Sequence, residues 1–410
     1  MMSSSIFSLR RQPFKGIYTC FAIVRLLGVL LPWWTICNLL PAWRPRRTWY
    51  LSWCLKNNFQ RHANGFFQTI GFVPSANTLD LRPEVLGLEI NAIPPDLIRG
   101  KLKEWAGDAG VFPVRIPGYW MHGPNTNFTL GEHANPSEGK VLYYLHGGGY
   151  VAFSAHPDSM TSAIPRSILQ QCAELNVKRA FNVEYRLSSH DPNPRENPFP
   201  AALLDALAGY AYLVNDVGFA PKDIIIAGDS AGGNLAIAMV RYLLEEPEAS
   251  KLVPPGGLIL LSPWSDLGNS SSEDMHNTMH TNVRTDYMAE PEILPDGHAR
   301  REYFQHAFAG PHGVEFLDAN AYVSPASLLL KDEDVRFEGF PPAFVAYGSG
   351  ELFAGQIRTL VRRMKHDMGD RVVEYEAEDG VHDYMLIGWQ ERNQRDTLSA
   401  IEQWVKTIGR

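Results

Sequence analysis

Gly228-Asp229-Ser230-Ala231-Gly232 follows the apolar run Ile224-Ile225-Ile226 and opens a stretch of helical character. The spacing predicts a serine on a sharp strand-to-helix turn, a nucleophile elbow. Glycines near the serine suit such a turn, because a strained backbone that lifts a side chain out of a sheet leaves no room for neighbouring Cβ atoms. Alone, the pattern reads equally well as a tight turn after a buried strand.

A second element lies upstream, where Val141-Leu142-Tyr143-Tyr144-Leu145 runs into His146-Gly147-Gly148-Gly149-Tyr150. When a serine oxygen adds to an ester carbonyl, the carbonyl oxygen becomes an alkoxide. Backbone N–H donors already aimed at that oxygen lower the barrier by about 2.7–4 kcal/mol each. Consecutive glycines let the main chain approach so closely. The expected donors are the N–H groups of Gly148 and Gly149, with that of Ala231 as the third. Together the two motifs point to acyl transfer.

A base and an acid must follow, in the chain order serine, carboxylate, histidine. Two histidines lie late in the chain. His366 falls within Gln356–Met368, where Ile357, Leu360, Val361 and Met364 repeat at helical spacing, and reads as a solvated helix position. His382 instead follows the strand-like Val372-Val373-Glu374-Tyr375, in a loop from which an imidazole could reach the serine, and is the expected base. Glu351 comes directly after the apolar run Pro342–Tyr347 and is the expected acid, holding the imidazole tautomer. Asp379 and Asp383 are rivals by proximity to His382, but the third group normally comes from the end of a separate strand.

With these residues placed, the chain resembles the hormone-sensitive-lipase branch of the α/β-hydrolases, most closely the fungal steryl acetyl hydrolase type. The resemblance rests on His146–Tyr150, Gly228–Gly233, Glu184-Tyr185-Arg186-Leu187, Ser262-Pro263-Trp264-Ser265-Asp266, Tyr322-Val323-Ser324-Pro325, and the surroundings of Glu351 and His382. It covers roughly residues 85–408. It implies an α/β-hydrolase fold and hydrolysis of small acyl, acetyl-like esters of a bulky apolar alcohol, such as a sterol or secondary metabolite. One departure concerns the acid: many relatives carry aspartate in a D-P-L-x-D string, and here Glu351 is followed by Leu-Phe-Ala-Gly. Arg186, Asp205 and Asp266 also match family positions and read as scaffold. The same branch contains plant hormone receptors that keep the fold and lose the catalytic histidine. A ligand-binding protein is therefore one alternative, set against the presence of His382, and acyl transfer to an acceptor other than water is another.

The order of elements agrees with an enzyme of this kind. Strand-like runs at Val141–Leu145, Arg179–Glu184, Asp223–Ala227, Gly257–Leu261, Pro342–Tyr347 and Arg371–Glu376 alternate with helical patterns such as Leu203, Leu207, Tyr210 and Val214. That alternation predicts a mostly parallel central sheet with helices on both faces. The stretch Ser265–Asn320 breaks the rhythm and reads as a helical lid together with residues of about 57–130, which include a short helix near Asp96 bearing Ile98, Leu102 and Trp105. A lid over the carboxyl edge of the sheet is where an apolar pocket forms.

The first residues differ in kind, and the expected organisation is a hydrophobic membrane-associated segment, 1–56, before a hydrolase domain, 57–410. Ile17–Leu40 is largely apolar between Arg10, Arg11 and Lys15 on one side and Arg44, Arg46 and Arg47 on the other. Its length suits a membrane span, although Arg25 costs about 2.5–3.5 kcal/mol at mid-bilayer and Pro32 would kink it. Trp33, Trp34, Trp43, Trp49 and Trp53 suit the headgroup boundary. A retained anchor is expected rather than a removed signal peptide, with the enzyme on the endoplasmic reticulum or another endomembrane. The alternative is an amphipathic segment packed on the hydrolase body.

The remaining composition excludes other classes. A formal net charge of −8 over 410 residues argues against a nucleic-acid partner. Cys20, Cys37, Cys54 and Cys172 form no C-x-x-C, so neither a disulfide framework nor a zinc site is indicated. His276 and His280 have the spacing of a metal pair, but Asn277 stands where a zinc-protease helix needs glutamate, and no metal or cofactor is expected. Asn127-Phe128-Thr129 and Asn269-Ser270-Ser271 are glycosylation sequons, meaningful if the body enters the secretory lumen.

Overall fold

The computed structural model describes residues 9–71, 79–80, 82, 84–124, 126, 128–134, 139–191, 193–247, 252–272, 276–289 and 299–408. Eight strands form one sheet: β1 Leu86–Ile90, β2 Ile116–His122, β3 Lys140–Leu145, β4 Val177–Val183, β5 Ile224–Asp229, β6 Gly257–Leu261, β7 Ala343–Gly348 and β8 Val372–Ala377. Their order is β1-β2-β4-β3-β5-β6-β7-β8. The β1–β2 and β2–β4 pairings are antiparallel, and every later pairing is parallel.

The central strands are apolar without interruption because both faces are covered. Val141, Tyr143 and Leu145 of β3 join Ile224 and Ile226 of β5 against the helices Ala201–Ala211, Ala231–Glu245 and Ala354–Met368. Leu142 and Tyr144 join Ile225 and Ala227 on the opposite face, under the helices Ala163–Gln171 and Glu391–Val405. Alternate residues thus enter separate cores, each fully buried aliphatic side chain contributing about 1.5–3 kcal/mol.

The six strands expected from the sequence are present within a residue or two at their ends. β1 and β2 were not expected: the stretch assigned to the lid, 57–130, instead supplies the two antiparallel strands at one edge. Leu86-Gly87-Leu88-Glu89-Ile90 is short, and Pro117-Gly118 interrupts the second run, so neither carries a clear strand pattern. The close approach at Gly118, where a Cβ would lie 2.3 Å from the Phe181 ring, is a tertiary requirement. Near Asp96 the helix is Gly100–Ala109, with Leu102 buried and Trp105 set edge-on to Phe316 and Tyr322. Of the remaining lid, the described part carries the helix Ala299–Ala309, while Pro291 and Pro295 lie outside the described residues. The Asn127 sequon lies outside them too, and Asn269 is exposed.

Near the amino terminus, Phe14–Asn38 forms one 25-residue helix with mean hydropathy 1.8 over its most apolar window, which is 11% buried. It is long and apolar enough to cross a membrane. A helix Leu51–Ile70 returns alongside it, with Tyr18 stacked on Phe66 at 6.0 Å and Trp34 edge-on to His62 at 6.2 Å. The boundary expected at residue 56 falls inside this second helix. Two tryptophans expected at a headgroup boundary are packed on the body of the fold instead. Trp49 is fully buried, with the Trp53 and Trp389 rings at 6.2 and 5.9 Å, and Trp53 meets Trp389 at 5.4 Å. Arg61 donates to the carbonyls of Val283 and Asp286 at 2.6 and 2.8 Å.

Candidate active site

Ser230 sits between β5 and the helix Ala231–Glu245 with φ 50° and ψ −117°. That conformation costs on the order of 1–3 kcal/mol for a residue with a Cβ and persists only where surroundings over-determine it. Here its N–H donates to Leu261 O at 2.9 Å and its carbonyl accepts from Trp264 N–H at 2.9 Å. A Cβ on Gly232 would stand 2.0 Å from Leu145 O, which explains the glycine after the serine.

The glycine-rich loop leaves β3 beside this turn. Gly148 has φ 114°, and a Cβ there would lie 2.2 Å from Ala152 O. Among the described residues, the N–H groups of Gly148, Gly149 and Ala231 have no intramolecular acceptor. Asp229 ties the loop to the elbow: its Oδ1 accepts from Gly147 N–H at 2.9 Å and from the Tyr144 hydroxyl. Burial, reinforced by the charge of Asp383, holds the Asp229 carboxyl above the usual carboxylate range. Sequence reading passed over this residue because it occupies an unspecified position of the motif. His146 braces the loop from below, its Nδ1–H donating to Gly147 O at 2.7 Å and its ring stacked on Tyr185 at 4.2 Å. Burial pushes its imidazole down to about 4, so it is neutral at ordinary pH.

His382 and Glu351 come from the loops after β8 and β7, and both are buried. His382 Nε2 lies 3.1 Å from Ser230 Oγ. Glu351 Oε2 lies 3.8 Å from His382 Nδ1 and accepts from the Ser262 hydroxyl at 2.7 Å and from Gly348 N–H at 3.3 Å. Ser262, on the turn after β6, also accepts from Asp383 N–H at 3.2 Å, so one hydroxyl joins the two loops. Burial raises the Glu351 carboxyl above its ordinary value against the opposing pull of His382 and Ser262. For His382 burial acts downward, but Asp383, Glu351 and Asp286 more than reverse it, and the imidazole stands above its ordinary value.

The rival carboxylates are placed differently. Asp379 turns away to Arg46 and Thr48, at 3.0 and 2.5 Å. Asp383 brings Oδ2 to 3.2 Å from His382 Nε2, the nitrogen that faces the serine, rather than to Nδ1. His366 is an exposed helix residue beside Asp367. Arg186 grips both oxygens of Asp205 at 2.8–3.2 Å, and Asp266 accepts from Ser270 and Ser271, each bracing a loop. Aromatic rings wall the site. Phe353 stands edge-on to His382 at 4.8 Å, Trp264 stacks on Phe353 at 5.8 Å, and Phe304 meets Trp264 at 6.3 Å.

A serine lifted on a strained turn at the carboxyl edge of a mostly parallel sheet, within reach of a histidine from the last strand's loop, defines the α/β-hydrolase class. The chain belongs to the family described as alpha/beta hydrolase fold, whose model matches residues 142–386. It is 29% identical over 248 residues to an esterase of Acinetobacter venetianus, covering 60% of this chain and 68% of that one. Over 140 residues it is 30% identical to steryl acetyl hydrolase 1 of Saccharomyces cerevisiae, covering 34% of this chain and 30% of that protein. Among solved structures, a hormone-sensitive lipase from a metagenome library superposes with a TM-score of 0.51 at 26% identity, covering 71% of this chain and 82% of that one. The class is therefore that of the carboxylic ester hydrolases.

Proposed function

We propose that the chain is a serine carboxylester hydrolase that removes small acyl, acetyl-like groups from a bulky apolar alcohol of the sterol or secondary-metabolite kind. The 3.1 Å approach of His382 Nε2 to Ser230 Oγ carries this reading. Ser230 Oγ attacks the ester carbonyl while His382 Nε2 takes its proton, and the N–H groups of Gly148, Gly149 and Ala231 stabilise the oxyanion. Collapse expels the alcohol, which receives the proton from His382. Water, activated by the same imidazole, then releases the acyl group from Ser230. Glu351 faces Nδ1 and stabilises the imidazolium that forms between these steps. The rings of Trp264, Phe304 and Phe353 supply an apolar wall suited to such an alcohol, and the yeast relative's name supports the acetyl preference.

The helix Phe14–Asn38 supports a second element of the reading, association with an endomembrane through the amino-terminal segment. Apolar esters would then be drawn from the bilayer. The deciding experiment compares hydrolysis of aryl esters from acetate to long-chain acyl by the wild type and by Ser230→Ala, with organophosphate labelling of Ser230. Turnover that is highest for short acyl groups and absent in Ser230→Ala supports the proposal. No turnover of any ester and no labelling of Ser230 would sink it and favour a ligand-binding protein.

A further inference from the structure

Arg46 lies ahead of β1 and outside the stretch matched by the family model, yet its guanidinium reaches both loops that carry the acid and the base. Its Nη1 donates to Ser349 Oγ at 2.9 Å and to Asp379 Oδ1 at 3.0 Å, and its Nη2 donates to Ser349 O at 2.6 Å. Thr48 Oγ1 donates to Asp379 Oδ2 at 2.5 Å, and Asp379 N–H donates to Ser349 Oγ at 3.0 Å. Ser349 shares the turn of Glu351, and Asp379 shares the loop of His382. The main chains of the two loops are joined at the same place, Ser349 N–H to Ala377 O at 2.9 Å and Gly350 N–H to Gly380 O at 2.8 Å. Arg46 and Thr48 cover this junction from outside.

The segment that carries them is itself held. Trp49 is fully buried beside Trp53 and Trp389. Arg44 closes the turn by donating to Trp49 O at 2.8 Å and Asn38 O at 3.0 Å. A planar, always charged fork on such a base suits the simultaneous grip of a carboxylate and a carbonyl, which a lysine, keeping the charge without the fork, reproduces only in part. The consequence concerns spacing. Glu351 and His382 come from different strands, so the separation of their reacting ends follows the separation of their loops. At 3.8 Å Glu351 already stands beyond hydrogen-bond distance of His382 Nδ1, which has no hydrogen-bond partner among the described residues, so further parting of the loops weakens the pair, and displacements near 1 Å cost about 100-fold in rate.

We propose that Arg46, seconded by Thr48, is a positioning residue for ester hydrolysis: it straps the loop of Glu351 to the loop of His382. This rests on the reading of Ser230, His382 and Glu351 given above. The test is steady-state hydrolysis of a water-soluble aryl acetate by the full-length chain in detergent, with the melting midpoint recorded for every variant. Arg46→Ala should lower kcat about 10–100-fold while KM stays within about 2-fold. Arg46→Lys should recover part of the loss, and Asp379→Asn should add little in the Arg46→Ala background because both break one link. Wild-type kcat in a folded Arg46→Ala chain overturns the proposal. So does an equal loss in Arg46→Ala and Arg46→Lys, or full additivity with Asp379→Asn. Should Arg46→Ala fail to fold, Thr48→Val decides: a kcat lower by about 3-fold or more at an unchanged melting midpoint upholds the strap, and an unchanged kcat overturns it. Wild-type turnover by Ser230→Ala would instead overturn the underlying reading, which separates the two failures.

Discussion

Asp383 Oδ2 lies 3.2 Å from His382 Nε2, the same nitrogen that stands 3.1 Å from Ser230 Oγ. A carboxylate there stabilises the imidazolium and competes with the serine for the one N–H on that side. Glu351 and Asp286 add to the negative field around the ring. A general base must be neutral, and an imidazole raised above its ordinary value becomes neutral only at higher pH.

The pH dependence follows with a definite sign. The rising limb of kcat/KM should have its midpoint above the ordinary histidine value of about 6.5. Asp383→Asn removes the nearest charge and should move that midpoint down. A pH–rate profile of both chains on a soluble aryl ester checks this, and an unmoved midpoint would show that Asp383 does not control the titration.

Ser230→Ala should reduce kcat by a factor on the order of 10⁴–10⁶ with little change in stability, because the lost atom is the proposed nucleophile. Organophosphate labelling monitored by intact mass should disappear with it. Labelling at another residue would relocate the nucleophile.

Glu351→Gln keeps the shape and the bond from Ser262 but removes the charge facing His382 Nδ1. The expected loss is up to about 10⁴ in kcat. Turnover within a few-fold of wild type would remove Glu351 from its proposed role, and Asp383→Asn kinetics would then test the nearer carboxylate.

Gly148→Ala introduces a Cβ at φ 114° and 2.2 Å from Ala152 O, so the loop must shift. Displacing a proposed oxyanion donor should cost about 10²–10³ in kcat. Near wild-type turnover would show that the loop does not supply the donors.

Two truncations separate anchoring from folding. Removing residues 1–40 deletes the apolar helix and spares Arg46, Thr48 and Trp49. The chain should move to the soluble fraction and retain turnover of a soluble ester. Removal through residue 56 takes the strap and Trp49 as well, and the loss of a buried tryptophan costs about 3–5 kcal/mol. Urea unfolding and fractionation of both chains measure the difference. Equal stability and turnover in the two would show that residues 41–56 contribute nothing to the body.

Much of the candidate site was legible because its signals are local. The elbow around Ser230 and the glycines of 147–149 record backbone requirements of single turns, which the chain must meet with particular residues wherever it folds. The central strands were legible for a similar reason: burial on both faces demands unbroken apolar runs, and Ile224–Ile226 obeys. The helical spacing around His366 and the loop after a strand that holds His382 singled out the second histidine. Tertiary structure decided what no spacing encodes. β1 and β2 owe their strand character to antiparallel pairing at the edge of the sheet, and their own residues carry a weak pattern. Asp383, adjacent to the histidine and in a left-handed backbone conformation at φ 46°, faces Nε2, and the more distant Glu351 faces Nδ1. Arg46 meets Ser349 across 303 positions of sequence, from a segment whose Trp49 is packed against Trp389. Local backbone geometry is written in short motifs, whereas the partners of a charge or an aromatic ring are set by packing between distant segments.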